Sequence, residues 1–366
     1  MVDVSVVRSA LEEVMDPEIR RPLGEIGAVK EVDVDGSTAR VVVGLAVPGS
    51  PLIDDLGDSV TAAISAVEGI EDVEVSFTAM SSAETTALAA ELRGPDAAAR
   101  EVRFAKPGSQ TRIIGIASGK GGVGKSSVTV NLAVALADKG QKVGIIDADV
   151  WGFSVPKMMG VERSPSVLED ILLPPRAHGV AVISMDFFIQ SDQAVVWRGP
   201  MLHKALEQFL VDVHWGDLDY LLIDMPPGTG DVAISISQYL PQSEILIVTT
   251  PQPTAQRVAV RAGLMAAKVN QDVVGVVENM SWFTGDDGKR YEIFGSGGGE
   301  RLAVELDVPF LGSVPLVPAV REGADEGRPI AVVDPDGEAA QAFDALADQL
   351  LATGPRLRSH PELVIS

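Results

Sequence analysis

Apolar residues recur along the chain with two different periods. Over residues 4–15 they fall at Val4, Val7, Leu11 and Val14, the spacing of one helix face. Residues 28–34 and 39–47 alternate as strands do and are joined at Asp35-Gly36, a strong hairpin signal. A helix over 51–67 and a strand over 73–80 complete a small α+β domain at residues 1–93. The stretch GPDAAAREVRFAKPGSQ, residues 94–110, is rich in Gly, Pro and Ala and reads as a linker. Beyond it the pattern changes. Short, nearly continuous apolar runs at 113–117, 143–147, 220–224, 244–249, 273–277 and 310–314 suit parallel strands buried on both faces. Helical patterns at 126–138, 203–211, 255–269 and 298–306 stand between several of them. The prediction is a doubly wound parallel-sheet α/β domain over 111–353, followed by a loosely ordered tail at 354–366. Its ligand site is expected beyond the carboxyl ends of the strands.

Composition narrows the function. The 366 residues carry a formal net charge of −23, with Lys and Arg scattered, which argues against a nucleic-acid partner. No apolar run approaches the roughly 20 residues of a membrane span, and the amphipathic N-terminus does not read as a signal peptide. The cytoplasm is the expected compartment. The chain contains no cysteine, which excludes disulfides, thiolate metal ligands and a Cys nucleophile. The four histidines show no metal-site spacing.

Residues Gly119, Lys120, Gly121, Gly122, Val123, Gly124, Lys125 and Ser126 fit G-x-x-x-x-G-K-[ST] between a predicted strand and a predicted helix. Such a loop curls its N–H groups around a phosphate at a helix N-terminus. ATP and Mg²⁺ are the expected ligands, with Lys125 between the β- and γ-phosphates and Ser126 on the metal. The plainer alternative, a glycine-rich turn without ligand, does not account for the strand–helix setting. In IIDADVWG, Asp149 is assigned to the attacking water and Asp147 to the metal shell. Helix capping is the competing explanation for either. Asp224 ends the strand YLLID and is the candidate to hold Mg²⁺ through a water. The loop that follows would sense the γ-phosphate through the Gly228 amide. The run GSGGG at 295–299 follows no clear strand and lacks a downstream acidic partner, so it reads as a flexible helix entry and not a dinucleotide fingerprint.

The segments GKGGVGKSSVTVNLA, DADVWGFSVP, VVWRGPML, LDYLLIDMPPGTGD and VVENMSWF, in that order, resemble the Mrp/ApbC ATPases within the larger MinD/ParA group. Asp16-Pro17-Glu18 and Pro48-Gly49-Ser50-Pro51 resemble the small domain often fused to these ATPases and found in iron–sulfur assembly factors. The resemblance implies ATP hydrolysis, a homodimer, and assembly or transfer of iron–sulfur clusters to apoproteins. It implies that Lys120, the extra lysine of a deviant Walker A loop, reaches the partner's nucleotide. Asn279 would read the adenine edge and Pro315 would pack on the ring. A solvated loop lysine and a turn asparagine are the plainer readings of Lys120 and Asn279. The family usually carries a C-x-x-C pair after E-N-M-S, where this chain reads Thr284-Gly285-Asp286-Asp287-Gly288, and a small-domain cysteine where this chain has Ser50. Thiolates are the usual cluster ligands, and carboxylates are harder, weaker substitutes. An ATP-gated scaffold that binds no cluster is therefore kept beside the carrier reading. A positioning ATPase ranks lower, because no basic amphipathic membrane helix is evident.

Overall fold

The computed structural model describes residues 2–94, 101–106, 108–150, 152–188, 199–228 and 230–354. Trp151, residues 195–198 of VVWRGPML, Thr229, much of the expected linker and nearly all of the expected tail lie outside the described residues. The chain forms two compact units, one of residues 1–102, 163–175 and 208–216, the other of 103–162, 176–207 and 217–366.

In the smaller unit, α1 (Val4–Glu12) is capped by the Asp3 carboxylate, which accepts the Ser5 amide at 2.9 Å. β1 (Val29–Asp35) and β2 (Thr38–Leu45) pair antiparallel around a turn in which Gly36 has φ +66°. α2 (Ile53–Ser65) crosses over to β3 (Asp72–Ala79), which pairs parallel with β2. Val7 and Leu11 of α1 and Leu56, Val60 and Ile64 of α2 are buried with Val41 and Val43 of β2. α3 (Ser82–Arg93), absent from the periodicity reading, opens with a capping box between Ser81 and Glu84.

The larger unit runs β4 (Arg112–Ser118), α4 (Lys125–Asp138), β5 (Val143–Asp147) and α5 (Val155–Met158). A hairpin of β6 (Ser166–Leu168) and β7 (Ile171–Leu173) comes next in the chain but belongs to the smaller unit, whose core receives Leu168, Ile171 and Leu173. There follow β8 (Arg176–Ala177), β9 (Val180–Ser184), α6 (Gly199–Val211, counted with the smaller unit from Gln208 on), β10 (Tyr220–Asp224), α7 (Asp231–Tyr239), β11 (Glu244–Thr249), α8 (Pro253–Lys268) and β12 (Asp272–Glu278). A short hairpin of β13 (Phe283–Thr284) and β14 (Arg290–Tyr291) precedes α9 (Gly298–Leu306) and β15 (Phe310–Ser313). The chain closes on α10 (Pro318–Asp325), α11 (Ile330–Val333) and α12 (Glu338–Thr353). Eight strands form one sheet in the order β15-β12-β11-β4-β10-β5-β9-β8, parallel throughout except for β8 against β9. This is the doubly wound class expected. Ile114, Ile116, Ile145 and Leu222 of the strands pack in one buried cluster with Leu132 and Leu136 of α4 and Phe343 and Leu346 of α12. Arg112 ties the two ends of this unit together, pairing with Glu244 at 2.5 Å and donating to the Leu350 carbonyl at 2.7 Å. The parallel arrangement turns the carboxyl ends of β4, β5 and β10, neighbouring strands near the middle of the sheet, toward one side.

Candidate functional site

β4 ends at Ser118, and six residues turn the chain into α4. The turn depends on glycine twice over. Gly122 and Gly124 have φ +80° and +77°, conformations that L side chains rarely adopt. At Gly119 the backbone of α8 comes so close, with Val258 O 2.6 Å from where a Cβ would sit, that a side chain has no room. A Cβ at Gly121 would meet nothing within 4 Å. No side chain caps the N-terminus of α4, so its first-turn amides keep the polarity that binds an anion.

Behind the loop, Asp224 and Asp147 stand in register on the parallel strands β10 and β5, both fully buried. Asp224 is compensated. Its Oδ2 accepts from Lys125 Nζ and Ser126 Oγ, each at 2.6 Å, and its Oδ1 from Thr129 Oγ1 at 2.7 Å. Asp147 has only dipoles in direct contact, the Asp149, Ser154 and Val155 amides at 3.1–3.2 Å and the Ser184 hydroxyl at 3.3 Å, with the Lys125 charge acting on it from further off. Burial first, and then the charge of Asp224, push the Asp147 carboxyl up to about 7, against the Val155 and Asp149 amides, which lower it. Asp149, also buried, lies 3.6 Å from Lys125 Nζ. Lys125, Ser126, Asp147, Asp149 and Asp224 thus meet in one place, and Thr129, which no motif points to, meets them there. Ser126 Oγ and Asp224 Oδ2 are adjoining hard oxygen donors of the kind Mg²⁺ takes, so this set fits that ion.

The remaining candidates lie around this cluster. Asn279 is buried at the end of β12; its amide donates to the Val123 carbonyl at 2.9 Å, and its oxygen accepts the Met280 amide at 2.9 Å. Pro315 is buried between Val314, whose amide donates to Glu278 O at 2.8 Å, and Leu316, whose amide donates to Trp282 O at 2.7 Å. The Gly228 amide donates to the Ser118 carbonyl at 2.9 Å, which directs it at β4. Lys120 is half-buried, and its ammonium makes no ion pair with the described residues.

The segment standing where a C-x-x-C pair was expected is the β13–β14 hairpin. It is closed by hydrogen bonds from Gly285 N to Lys289 O at 2.9 Å and from Gly288 N to Gly285 O at 2.8 Å. Asp287 accepts the Tyr291 hydroxyl at 2.8 Å, and Glu338 accepts Thr284 Oγ1 at 2.9 Å and Trp282 Nε1 at 3.2 Å. In the smaller unit Ser50 donates to Glu18 at 2.6 Å, where Ser166 at 2.8 Å and Arg163 at 3.2 Å also converge. Among the described residues no group of three or more His, Asp or Glu side chains is arranged to hold a metal ion, and the chain offers no thiolate for a cluster. No helix among the described residues is long and apolar enough to cross a membrane.

Comparison with known proteins agrees with this geometry. The family described as NUBPL iron-transfer P-loop NTPase matches residues 109–351, and the family described as iron–sulfur cluster assembly protein matches residues 5–77. An iron–sulfur cluster carrier protein of Mycobacterium bovis is 49% identical over 94% of this chain and 92% of its own length. One of Bacillus subtilis is 44% identical over 86% of this chain and 89% of its own. Among solved structures, a nucleotide-binding protein of Archaeoglobus fulgidus in complex with ADP is 35% identical, with a TM-score of 0.55, over 64% of this chain and 93% of that one. The septum site-determining protein MinD of Pyrococcus horikoshii, complexed with Mg-ADP, is 28% identical with a TM-score of 0.50, over 66% and 97%. The chain therefore belongs to the NUBPL iron-transfer P-loop NTPase family.

Proposed function

We propose that this chain hydrolyses ATP to ADP and phosphate with Mg²⁺ and works as a homodimer in the assembly or transfer of iron–sulfur clusters to apoproteins. The observation that carries the reading is the convergence of Lys125, Ser126 and Asp224 beneath an uncapped helix N-terminus. Lys125 exchanges Asp224 for the β- and γ-phosphates, and the amides of the glycine loop take the β-phosphate oxygens. Ser126 and Asp224 would hold Mg²⁺, with Asp147 close by, and the ion would supply charge neutralisation at the phosphates. Asp149 orients the attacking water. Asp147 also accepts the amides that shape the loop carrying Asp149. Lys120, without an ion pair among the described residues, supplies a cation to the partner's nucleotide. The Gly228 amide leaves Ser118 for the γ-phosphate, and Asn279 and Pro315 border the adenine.

A second reading has a specific observation in its favour. In a chain with no cysteine, hydrogen bonds close the 283–291 hairpin, so the protein would act as an ATP-gated scaffold and leave the cluster to thiols of a partner or of glutathione. Anaerobic reconstitution with iron and sulfide decides between them. The measurement is iron and acid-labile sulfide per dimer after desalting, with the visible spectrum. The scaffold reading expects a weak cluster that a mild chelator strips; a stoichiometric, chelator-resistant cluster returns the protein to carrier. ATP turnover at a rate no different from a protein-free control would sink both.

A further inference from the structure

The geometry points to Thr129 as a positioning residue that fixes the Asp224 carboxylate for Mg²⁺·nucleotide binding; this rests on the nucleotide reading above. Thr129 sits one helical turn beyond Lys125 on α4, on the same face, and is fully buried. Its Oγ1 lies 2.7 Å from Asp224 Oδ1 and 3.0 Å from the Lys125 carbonyl. A hydroxyl has one proton to give, and the shorter contact to the charged acceptor takes it. The other donors on Asp224, Lys125 and Ser126, both act on Oδ2. Each of them has a second task when Mg²⁺ and nucleotide arrive, Lys125 at the phosphates and Ser126 at the metal. Thr129 has none: it is fully buried, and its hydroxyl acts on the other carboxylate oxygen, Oδ1. It is the donor that stays, and it keeps Oδ2 turned toward the metal while the other two change partners.

Valine has nearly the same shape as threonine, and Val128 and Val130 already flank the position, so Thr129→Val removes the hydroxyl with little steric change. The test is an equilibrium titration of fluorescent ADP at a series of free Mg²⁺ concentrations, with ATP turnover measured alongside. For Thr129→Val the half-saturating Mg²⁺ concentration should rise about tenfold or more, the worth of a hydrogen bond to a charged group. ADP affinity without Mg²⁺ should stay within about twofold, and Thr129→Ser should restore the wild-type value, since only the hydroxyl is at issue. A wild-type Mg²⁺ requirement in Thr129→Val would overturn the assignment. So would a Thr129→Ser protein as impaired as Thr129→Val, which would assign the effect to the methyl group's packing. Should circular dichroism show Thr129→Val unfolded, Thr129→Ala is read by the same titration and the same two criteria. A wild-type protein that binds Mg²⁺·ADP but does not turn over ATP would sink the proposed hydrolysis and leave this inference standing or falling on the Mg²⁺ titration.

Discussion

The nucleotide cluster of the larger unit and the Glu18 pocket of the smaller one are built from similar parts. Each buries a carboxylate against one cation and two hydroxyls: Asp224 has Lys125, Ser126 and Thr129, and Glu18 has Arg163, Ser50 and Ser166. What differs is what the cation and hydroxyls can leave for. Lys125 and Ser126 sit at the mouth of a glycine loop beside a second buried carboxylate, Asp147, so the cluster holds more negative charge than its one lysine offsets. A divalent cation and a phosphate can therefore replace the internal partners there. Arg163 pairs with Glu18 and both serine hydroxyls donate to the same carboxylate, while Asp16, buried beside it, is held by the Glu18 and Ile19 amides. On the function proposed above, a buried carboxylate with a serine beside it serves a ligand in the larger unit and its own internal donors in the smaller. Exchangeability separates them.

The largest effect that would break this comparison is at Lys125. Lys125→Ala should lower nucleotide binding and turnover by at least about 1000-fold, through loss of the cation at the transferring phosphate. Because Lys125 is also the cation on fully buried Asp224, the ligand-free variant should lose roughly 3 kcal/mol of stability, as expected when one partner of a buried pair is removed. Denaturant unfolding with and without ADP checks both. A variant as stable as wild type would mean that the buried charge is compensated by the hydroxyls alone.

Next in size is the cation from outside the cluster. If Lys120 acts on the partner's nucleotide, Lys120→Ala should reduce turnover on the order of 10²–10³-fold while leaving ADP affinity nearly unchanged. Mixing Lys120→Ala subunits with Asp149→Ala subunits should restore part of the activity, since one composite site then has both groups intact. No recovery at any ratio, with heterodimers demonstrated, would confine Lys120 to its own subunit or remove it from catalysis.

In the smaller unit the comparison calls for stability loss without activity loss. Arg163→Ala leaves Glu18 buried without its cation, and since the arginine side chain is a quarter exposed the cost is nearer about 2 kcal/mol than the full value for a buried pair. Ser166→Ala, which removes one neutral donor, should cost about 1 kcal/mol. Hydrogen exchange of the α1 and α2 amides reads the first effect locally, and ATP turnover should change less than about twofold, as expected when no ligand contact is touched. A collapse of turnover in Arg163→Ala would show that Glu18's pocket is tied to the nucleotide cycle.

Legibility in the sequence followed contiguity. The glycine loop is readable because its residues are adjacent in the chain, and the strand-end aspartates are readable because parallel strands present the same ends to one side. Thr129 carries no such signal: inside an apolar helical run it looks like a weak helix former filling a turn. Asn279 reads as a ligand group from its place after a strand, and only the fold shows its amide bonded to Val123, 156 positions away. The β6–β7 hairpin illustrates the same limit, for its Leu168, Ile171 and Leu173 belong to a core begun about 160 residues earlier. α3 had a local signature, Ser81 and Glu84 at capping-box spacing, and periodicity passed over it because little of its surface is strongly apolar. β9 is a five-residue strand with four apolar residues in a row, too short for periodicity to separate strand from buried helix.

The smallest effect concerns Asp16, beside Glu18 in the smaller unit. Its Oδ1 accepts the Glu18 and Ile19 amides at 2.9 and 2.8 Å, yet burial, the largest influence, raises its carboxyl above the usual 3.8 against those bonds, with the Glu18 charge adding to the rise. The sign follows from proton binding. Between 3.8 and the raised value the folded chain keeps a proton that the unfolded chain releases, so stability from this group is complete below 3.8 and declines as pH climbs through the folded value. An asparagine in its place would keep an acceptor for both amides and carry no charge at any pH. Asp16→Asn should therefore match wild type in acid and exceed it slightly near neutrality, flattening the stability–pH curve over that window. Unfolding free energies of both proteins across that pH range test it. Parallel curves would show that Asp16 is as well compensated as Glu18, and the uncompensated carboxylate would then be a property of the nucleotide cluster and not of this fold's buried acids in general.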